Sequence, residues 1–158
     1  MSELAFSPEA QRQFEEILSR YPEKRAAMLP TLYLAEKEFG HISPEVEVYV
    51  GKLLEVHPVK VREVLTFYTL FASKPRGKFH FQICRGIACD LRGCTKVIEH
   101  LSDKLNLKSE ETSADLRYTF TEVECLGACE TAPMMQVNED YHGYLTPDKI
   151  DKMVKNLK

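Results

Sequence analysis

The chain has 158 residues, with a hydrophobic content of 44% and a charged content of 28%, which is ordinary for a globular protein able to bury a core. Its formal net charge is −3, with acidic and basic residues interspersed, which argues against a nucleic-acid-binding protein because such proteins normally present a basic face. We expect no signal peptide and no direct membrane insertion, because no basic N-terminal region precedes an apolar run and no run approaches the roughly 20 residues that span a bilayer.

The first half of the chain has a helical pattern. Apolar residues recurring at helical spacing predict helices over residues 7–21, 23–40, 43–57 and 58–71. Ser7 followed by Pro8 is typical of a helix start, and the same pair opens the third helix. Pro30 should kink the second helix or mark its effective start, and Gly40 should end it. Four short helices favour a small bundle, and we place this domain at residues 1–75.

The pattern changes around Pro75 and Gly77. It then predicts a strand, a helix, a second strand, a hairpin whose second strand lies near Tyr144, and a final helix, over residues 78–84, 95–107, 116–125, 134–144 and 146–158. The first strand is indicated by apolar Phe79 and Phe81 alternating with polar residues. This order favours a mixed sheet flanked by helices, a thioredoxin-like α/β domain at residues 76–158 that makes the chain α+β overall.

The cysteines are grouped rather than scattered. All five lie in one stretch, at Cys84, Cys89, Cys94, Cys125 and Cys129. In a chain without an export signal such a group is more typical of metal binding or redox chemistry than of disulfides. The two outer pairs are Cys84 with Cys89 and Cys125 with Cys129. Each pair follows the end of a predicted strand, where the functional sites of α/β sheets usually lie. We therefore expect one metal centre between two cysteine loops.

The cysteine spacing limits which kind of metal or redox centre is expected. A thioredoxin-type dithiol requires C-x-x-C, which this chain lacks, and structural zinc usually prefers two such pairs over the C-x4-C and C-x3-C present here. Small residues next to the cysteines, Gly86 and Gly127 among them, leave room for backbone N–H groups to point at sulfur. Spacing favours an iron–sulfur cluster over zinc, and leaves redox-active or unligated thiols as a third alternative. Arg85 and Arg92 either add positive charge nearby or are ordinary surface arginines.

Two segments carry a specific resemblance. "CRGIACDLRG" and "VECLGACETAPMMQVN" resemble the thioredoxin-like [2Fe–2S] ferredoxins, and "AEKEFGHIS" with "VREVLTFYTLFASKPRGK" resembles the helical region of the E subunits of NADH:quinone oxidoreductases, respiratory complex I. The resemblance implies one [2Fe–2S] cluster with Cys84, Cys89, Cys125 and Cys129 as ligands. Cys94 departs from the family pattern. Although Cys89 and Cys94 are also spaced C-x4-C, we expect Cys94 to be a small, partly buried core residue at a helix start.

The resemblance also implies a function. The chain would be an electron-transfer subunit that exchanges single electrons with FMN on a partner, the F subunit of the complex, which also binds NADH. The complex would hold the chain at the cytoplasmic face of the cell membrane, or at the matrix side in a eukaryote. Because the helical half has no cysteines and no catalytic group of residues, we expect it to dock the partner. No two glycines form G-x-G, so we expect no NADH oxidation by this chain alone.

Two alternatives remain from the sequence. One is the equivalent diaphorase subunit of an NAD-reducing hydrogenase or an NAD-dependent formate dehydrogenase. The other belongs to a different class, a zinc-stabilised scaffold protein without a redox role.

Overall fold

The computed structural model describes residues 4–157 and divides into two compact units, one ending at Pro75 and the other beginning at Arg76. Within the described residues, the first unit has four α-helices: α1 (Pro8–Ser19), α2 (Met28–Phe39), α3 (Pro44–Leu53) and α4 (Pro58–Phe67). The predicted helices are confirmed, with differences at their ends. Helix α4 ends before residue 71 because the backbone at Tyr68 becomes extended.

Side-chain caps determine where the helices begin. The Ser7 hydroxyl accepts a hydrogen bond from the Ala10 N–H at 3.2 Å, and Ser43 caps α3 in the same way. Helix α4 uses a cap that the sequence pattern did not indicate: Nδ1 of His57 accepts from the Val59 N–H at 3.3 Å. Each cap satisfies one of the N–H groups that a helix start leaves without a partner.

Pro30 marks the beginning of α2 rather than a kink within it. A 3-10 turn at Lys24–Ala27 leads into the helix, and Pro30 lies in the first helical turn, where no intrahelical acceptor is needed for its missing N–H. At the other end, Gly40 has a φ of 79°, a left-handed conformation that glycine adopts without steric cost. Both expectations for this helix are confirmed.

Helices α3 and α4 are joined by an ion pair at the edge of the bundle core. The Arg62 guanidinium donates from Nε to Glu47 Oε2 at 2.8 Å and from Nη2 to Glu47 Oε1 at 3.0 Å. Glu47 is buried, so this two-point pairing compensates a carboxylate that has lost its water. The hydrogen bond to Glu47 raises the pKa of Arg62, so the guanidinium stays protonated.

Over residues 76–157, the second unit contains a sheet and three α-helices. Its described elements are β1 (Phe79–Cys84), α5 (Ile87–Leu91), α6 (Cys94–Leu105), β2 (Glu111–Thr112), β3 (Tyr118–Val123), β4 (Met135–Val137), β5 (Asp140–His142) and α7 (Pro147–Asn156). The last residue of the predicted final helix, 158, lies outside the described residues. None of the helices in residues 4–157 has the length and apolar character needed to cross a membrane.

The sheet has the order β2-β3-β1-β4-β5. Strand β1 pairs in parallel with β3 and antiparallel with β4, and β4 pairs antiparallel with β5. The predicted mixed sheet flanked by helices is therefore confirmed. The parallel β1–β3 pair is joined through α6, the long crossover that parallel neighbours require.

Three details differ from the sequence prediction. The short helix α5 lies inside the first cysteine loop, and the two-residue strand β2 extends the sheet edge. The second strand of the hairpin lies at Asp140–His142 instead of near Tyr144, because Asn138 has a φ of 55° and turns the chain directly after β4. These elements are too short to produce a periodic pattern in the sequence.

The core of the second unit lies between the sheet and helices α6 and α7. Alternate residues of the central strands are fully or almost fully buried, including Phe81, Ile83 and Phe120. They belong to one apolar cluster with Leu101 of α6 and Ile150 of α7, both with no exposed surface. This packing fixes the sheet on which the cysteine loops are mounted.

Replacing Leu101 by Ala should lower the free energy of unfolding by about 2–5 kcal/mol, because a buried leucine leaves a cavity when truncated. The matched control is Leu91→Ala in α5, where the side chain is 83% exposed and the expected change is within about 0.5 kcal/mol. Urea unfolding followed by circular dichroism measures both. Equal losses in the two variants would contradict the placement of the core.

Candidate metal centre

The two cysteine loops leave the sheet from the same edge. Strands β1 and β3 run parallel, and their last residues, Cys84 and Val123, are direct neighbours in the register. The Arg85 N–H donates to the Val123 carbonyl at 2.8 Å, so the strands remain paired up to the point where both loops begin. As predicted, each outer cysteine pair lies at or just past the carboxyl end of a strand.

The first loop holds its thiols in an apolar setting. Cys84 and Cys89 are both buried, and they form a small cluster with Cys94, Ala132 and Met134. Burial raises the pKa of the Cys89 thiol to about 11; a backbone hydrogen bond from Met134 opposes the shift and the neighbouring Cys84 adds to it. In the metal-free chain Cys89 is therefore a neutral thiol at pH 7, and a metal must displace its proton in order to bind.

Cys94 has the position expected of a core residue. It is the first residue of α6, is buried, and its Sγ lies 3.8 Å from Asp90 Oδ1, close enough for a weak S–H donor contact. Burial raises the pKa of the Cys94 thiol, and the negative charge of Asp90 raises it further. Cys94 is accordingly held as a neutral thiol beside the first cysteine pair.

The second loop is the open side of the site. Cys125 and Cys129 are both exposed, and Cys129 begins a short 3-10 turn at Cys129–Thr131. The predicted backbone contacts to sulfur are present in both loops. The Gly86 N–H donates to Cys84 Sγ and the Gly127 N–H donates to Cys125 Sγ, each at 3.4 Å.

Gly86 lies where the two loops meet. A Cβ atom placed on Gly86 would lie 3.4 Å from Cys84 Sγ and 3.6 Å from Cys125 Sγ. Sulfur atoms from both loops therefore face the space beside this glycine. Among residues 4–157, no group of three or more histidine, cysteine, aspartate and glutamate residues is arranged as a metal site. The structure thus brings Cys84 together with Cys89 and, across Gly86, with Cys125, while Cys129 lies on the exposed part of the second loop.

The second loop is held by the segment that follows β4. The Tyr141 hydroxyl donates to the Leu126 carbonyl at 2.9 Å, and the Tyr144 N–H donates to the Thr131 carbonyl at 2.6 Å. Gly143 packs so closely on this loop that an added Cβ would lie 2.2 Å from the Thr131 Cβ. The cysteine spacing does not predict these contacts, because it carries no signal for which segment supports the loop.

The charges beside the loops are partly paired. Nη1 of Arg85 lies 3.0 Å from Glu122 Oε2, and the Arg85 side chain is largely exposed. Its positive charge is therefore partly neutralised and screened by water, which limits its effect on the thiols. Arg92 is exposed and lies at the end of α5. The backbone N–H groups are the more direct source of positive potential at sulfur.

The chain is similar to known iron–sulfur and NADH-quinone oxidoreductase proteins over about nine tenths of its length. The family model "Thioredoxin-like [2Fe–2S] ferredoxin" matches residues 14–158. The NADH-quinone oxidoreductase E subunit numbered 2 of Rhizobium meliloti (strain 1021) is 42% identical over 146 residues, 92% of this chain and 87% of the relative. The NADH-quinone oxidoreductase E subunit of Rickettsia bellii (strain RML369-C) is 41% identical over 147 residues, 91% of this chain and 88% of the relative.

A solved structure shows the same fold at lower identity. A chain of an NAD⁺-reducing [NiFe]-hydrogenase in the air-oxidised state superposes with a TM-score of 0.72 and 17% identity over 82% of this chain. The present chain spans 22% of the length of that hydrogenase chain. At this identity the likeness describes the fold of the two chains.

Replacing Gly86 by Ala should separate folding from metal loading. The added methyl makes only ordinary contacts, and Gly86 has an unstrained φ of −55°, so the free energy of unfolding should stay the same or rise by about 0.4–1 kcal/mol. Because the methyl occupies the space between two sulfurs, the iron and sulfide bound per chain should fall severalfold.

The matched control is Gly93→Ala, close to the same loop. Its Cβ would meet nothing within 4 Å, but Gly93 has a φ of 83°, so this variant should lose about 1–2 kcal/mol of stability and keep its iron content. Chemical analysis of iron and sulfide measures the metal loading of both variants, and urea unfolding measures their stability. Full iron loading of Gly86→Ala would contradict a site between the loops.

Proposed function

This chain belongs to the thioredoxin-like [2Fe–2S] ferredoxin family, and on that premise we propose that it is an electron-transfer subunit of an NADH:quinone oxidoreductase. The named relatives support this assignment, because they align over almost the whole chain, including the helical half. The alternative of a hydrogenase or formate dehydrogenase subunit has weaker support, since the hydrogenase likeness is one of fold.

The proposed ligands of one [2Fe–2S] cluster are Cys84, Cys89, Cys125 and Cys129. The observation that carries this proposal is the convergence of sulfur from both loops on the space beside Gly86. Thiolates are the ligands that iron–sulfur clusters take in ferredoxins, and the family match favours such a cluster over structural zinc. When bound, the cluster would supply one-electron redox chemistry.

The residues around the sulfurs suit a centre that gains negative charge. The N–H groups of Gly86 and Gly127 donate to thiol sulfurs of the two loops and would stabilise that charge. The buried first loop excludes water from one side, while the exposed second loop leaves the other side accessible to an electron donor. This chain's own contribution is therefore to hold the centre, set its electrostatic surroundings and present one edge of it.

We assign the NADH and FMN sites to a partner, the F subunit of the same complex. No glycine of this chain is spaced to form a dinucleotide-binding G-x-G loop. The chain would lie at the cytoplasmic side of the membrane through the assembled complex, or at the matrix side in a eukaryote. Single electrons would pass between the partner's FMN and the cluster held here.

The helical unit is proposed to dock the partner. It contains none of the cysteines, so it supplies none of the proposed ligands, and its buried apolar residues form one cluster. In the segment 65–71, Leu65 and Phe71 belong to the bundle core, whereas the Phe67 side chain is 77% exposed with the Tyr68 ring centroid 5.0 Å away. Exposed aromatic side chains of this kind are enriched in protein interfaces.

Replacing any one of the four proposed ligands by Ala should abolish or severely weaken cluster binding, because each thiolate provides a bond that alanine cannot replace. Cys94→Ser is the control and should leave the optical spectrum and the reduced-state EPR spectrum unchanged. Iron and sulfide analysis of the purified full chain accompanies both spectra.

Two outcomes of that experiment contradict the assignment. If Cys94→Ser alone lost the cluster, Cys94 would be a ligand in place of one of the four proposed cysteines. A colourless wild-type protein containing zinc and no sulfide would support the scaffold alternative.

A fragment of residues 76–158 should keep the cluster and its spectra but lose stable association with the flavin-containing partner. The physical reason is that the sheet, helices α6 and α7 and both cysteine loops lie within this unit, whereas the proposed docking helices do not. Co-purification of the partner with the fragment and with the full chain measures the difference. Equally tight association of the two would require another role for the helical unit.

A further inference from the structure

We propose that Tyr141 is a positioning residue that sets the reduction potential of the metal centre through one peptide group of the second cysteine loop. Its hydroxyl orients the Leu126–Gly127 peptide so that the Gly127 N–H points at the Cys125 sulfur. This inference rests on the proposed function, because the potential in question is that of a cluster bound by Cys125.

One peptide group connects the two contacts. The Leu126 carbonyl accepts from the Tyr141 hydroxyl at 2.9 Å, and the Gly127 N–H donates to Cys125 Sγ at 3.4 Å. This carbonyl and this N–H belong to the same peptide plane, in which they point in opposite directions because the peptide is rigid and planar. Holding the carbonyl therefore fixes the direction of the N–H.

The loop leaves the Gly127 side of this peptide without close packing. Gly127 has a φ of 73°, and an added Cβ would meet nothing within 4 Å, so no steric contact on that side restricts the peptide plane. Glycine also has the widest choice of backbone conformations, which makes an external anchor effective here. The Tyr141 hydroxyl provides such an anchor from outside the loop.

The sheet holds Tyr141 in place. Tyr141 is the central residue of β5 and lies opposite Gln136 of β4 in the antiparallel register. Strand β4 in turn pairs with β1, whose last residue is Cys84. The hydroxyl is thus fixed to the same sheet that carries the first cysteine loop. The sheet therefore holds both loops in fixed positions relative to each other.

The electrostatic consequence has a definite sign. Reduction adds negative charge to a thiolate-ligated centre, and an N–H donor at sulfur stabilises the reduced form more than the oxidised form. Releasing the peptide plane removes part of that stabilisation. Loss of the Tyr141 hydroxyl should therefore make the midpoint potential more negative.

The test is Tyr141→Phe in the full chain, which removes the hydroxyl and keeps the ring. We expect unchanged iron and sulfide content and an unchanged thermal unfolding midpoint, together with a more negative midpoint potential in an EPR-monitored redox titration. The control is Tyr33→Phe in α2, which removes a hydroxyl from a tyrosine of equal exposure, 55%, and should leave the potential unchanged. If Tyr141 had only a structural role, Tyr141→Phe would lower the thermal unfolding midpoint and leave the midpoint potential unchanged.

A second measurement is independent of the cluster. In the metal-free chain, the amide hydrogen of Gly127 should exchange with solvent faster in Tyr141→Phe than in the wild type, because its orientation toward sulfur is no longer held. An unchanged potential in a loaded variant overturns the proposal. If the wild type binds no cluster, the proposed function fails, and equal Gly127 exchange rates in the two metal-free proteins then overturn this inference separately.

Discussion

The parallel pairing of β1 with β3 is the constraint on which the metal centre depends. Because Cys84 and Val123 are neighbours in the register, both strands end level and both cysteine loops start from one edge of the sheet. A change of this register by one residue would move every side chain of the strand to the opposite face and separate Cys84 from the second loop. The buried residues Phe81 and Phe120 oppose such a change, because they fit the core only in the observed register.

The two loops contribute different properties to the same centre. The first provides buried thiols in an apolar cluster, and the second provides exposed thiols within reach of solvent. Backbone N–H donors act in both loops, whereas the charge of Arg85 is partly neutralised by Glu122 and screened by water. The electrostatic surroundings of the sulfurs are therefore built from main-chain dipoles, which do not depend on the length or mobility of a charged side chain.

The sequence predicted features that arise from local rules. Helix starts at Ser7 and Ser43, the helix end at Gly40 and the alternation in β1 all follow from the residues at those positions. The five-residue helix α5 was not predicted, because a single turn produces no periodicity. The contacts of Tyr141 and Gly143 with the second loop were not predictable either, since they join segments that only the folded sheet brings together. The four-cysteine ligand set came from family resemblance, because spacing alone also allowed Cys94.

The close approach of Gly143 to Thr131 has a consequence for sequence variation. A Cβ at position 143 would meet the Thr131 Cβ at 2.2 Å and the Thr131 carbonyl oxygen at 2.8 Å, so no larger residue fits while the loop keeps its path. Thr131 lies two residues after Cys129, and any shift of its backbone is passed directly to that cysteine. A larger residue at position 143 therefore requires the backbone at Thr131 to move, which extends the steric demands of the cysteine loop to a glycine outside the cysteine motif.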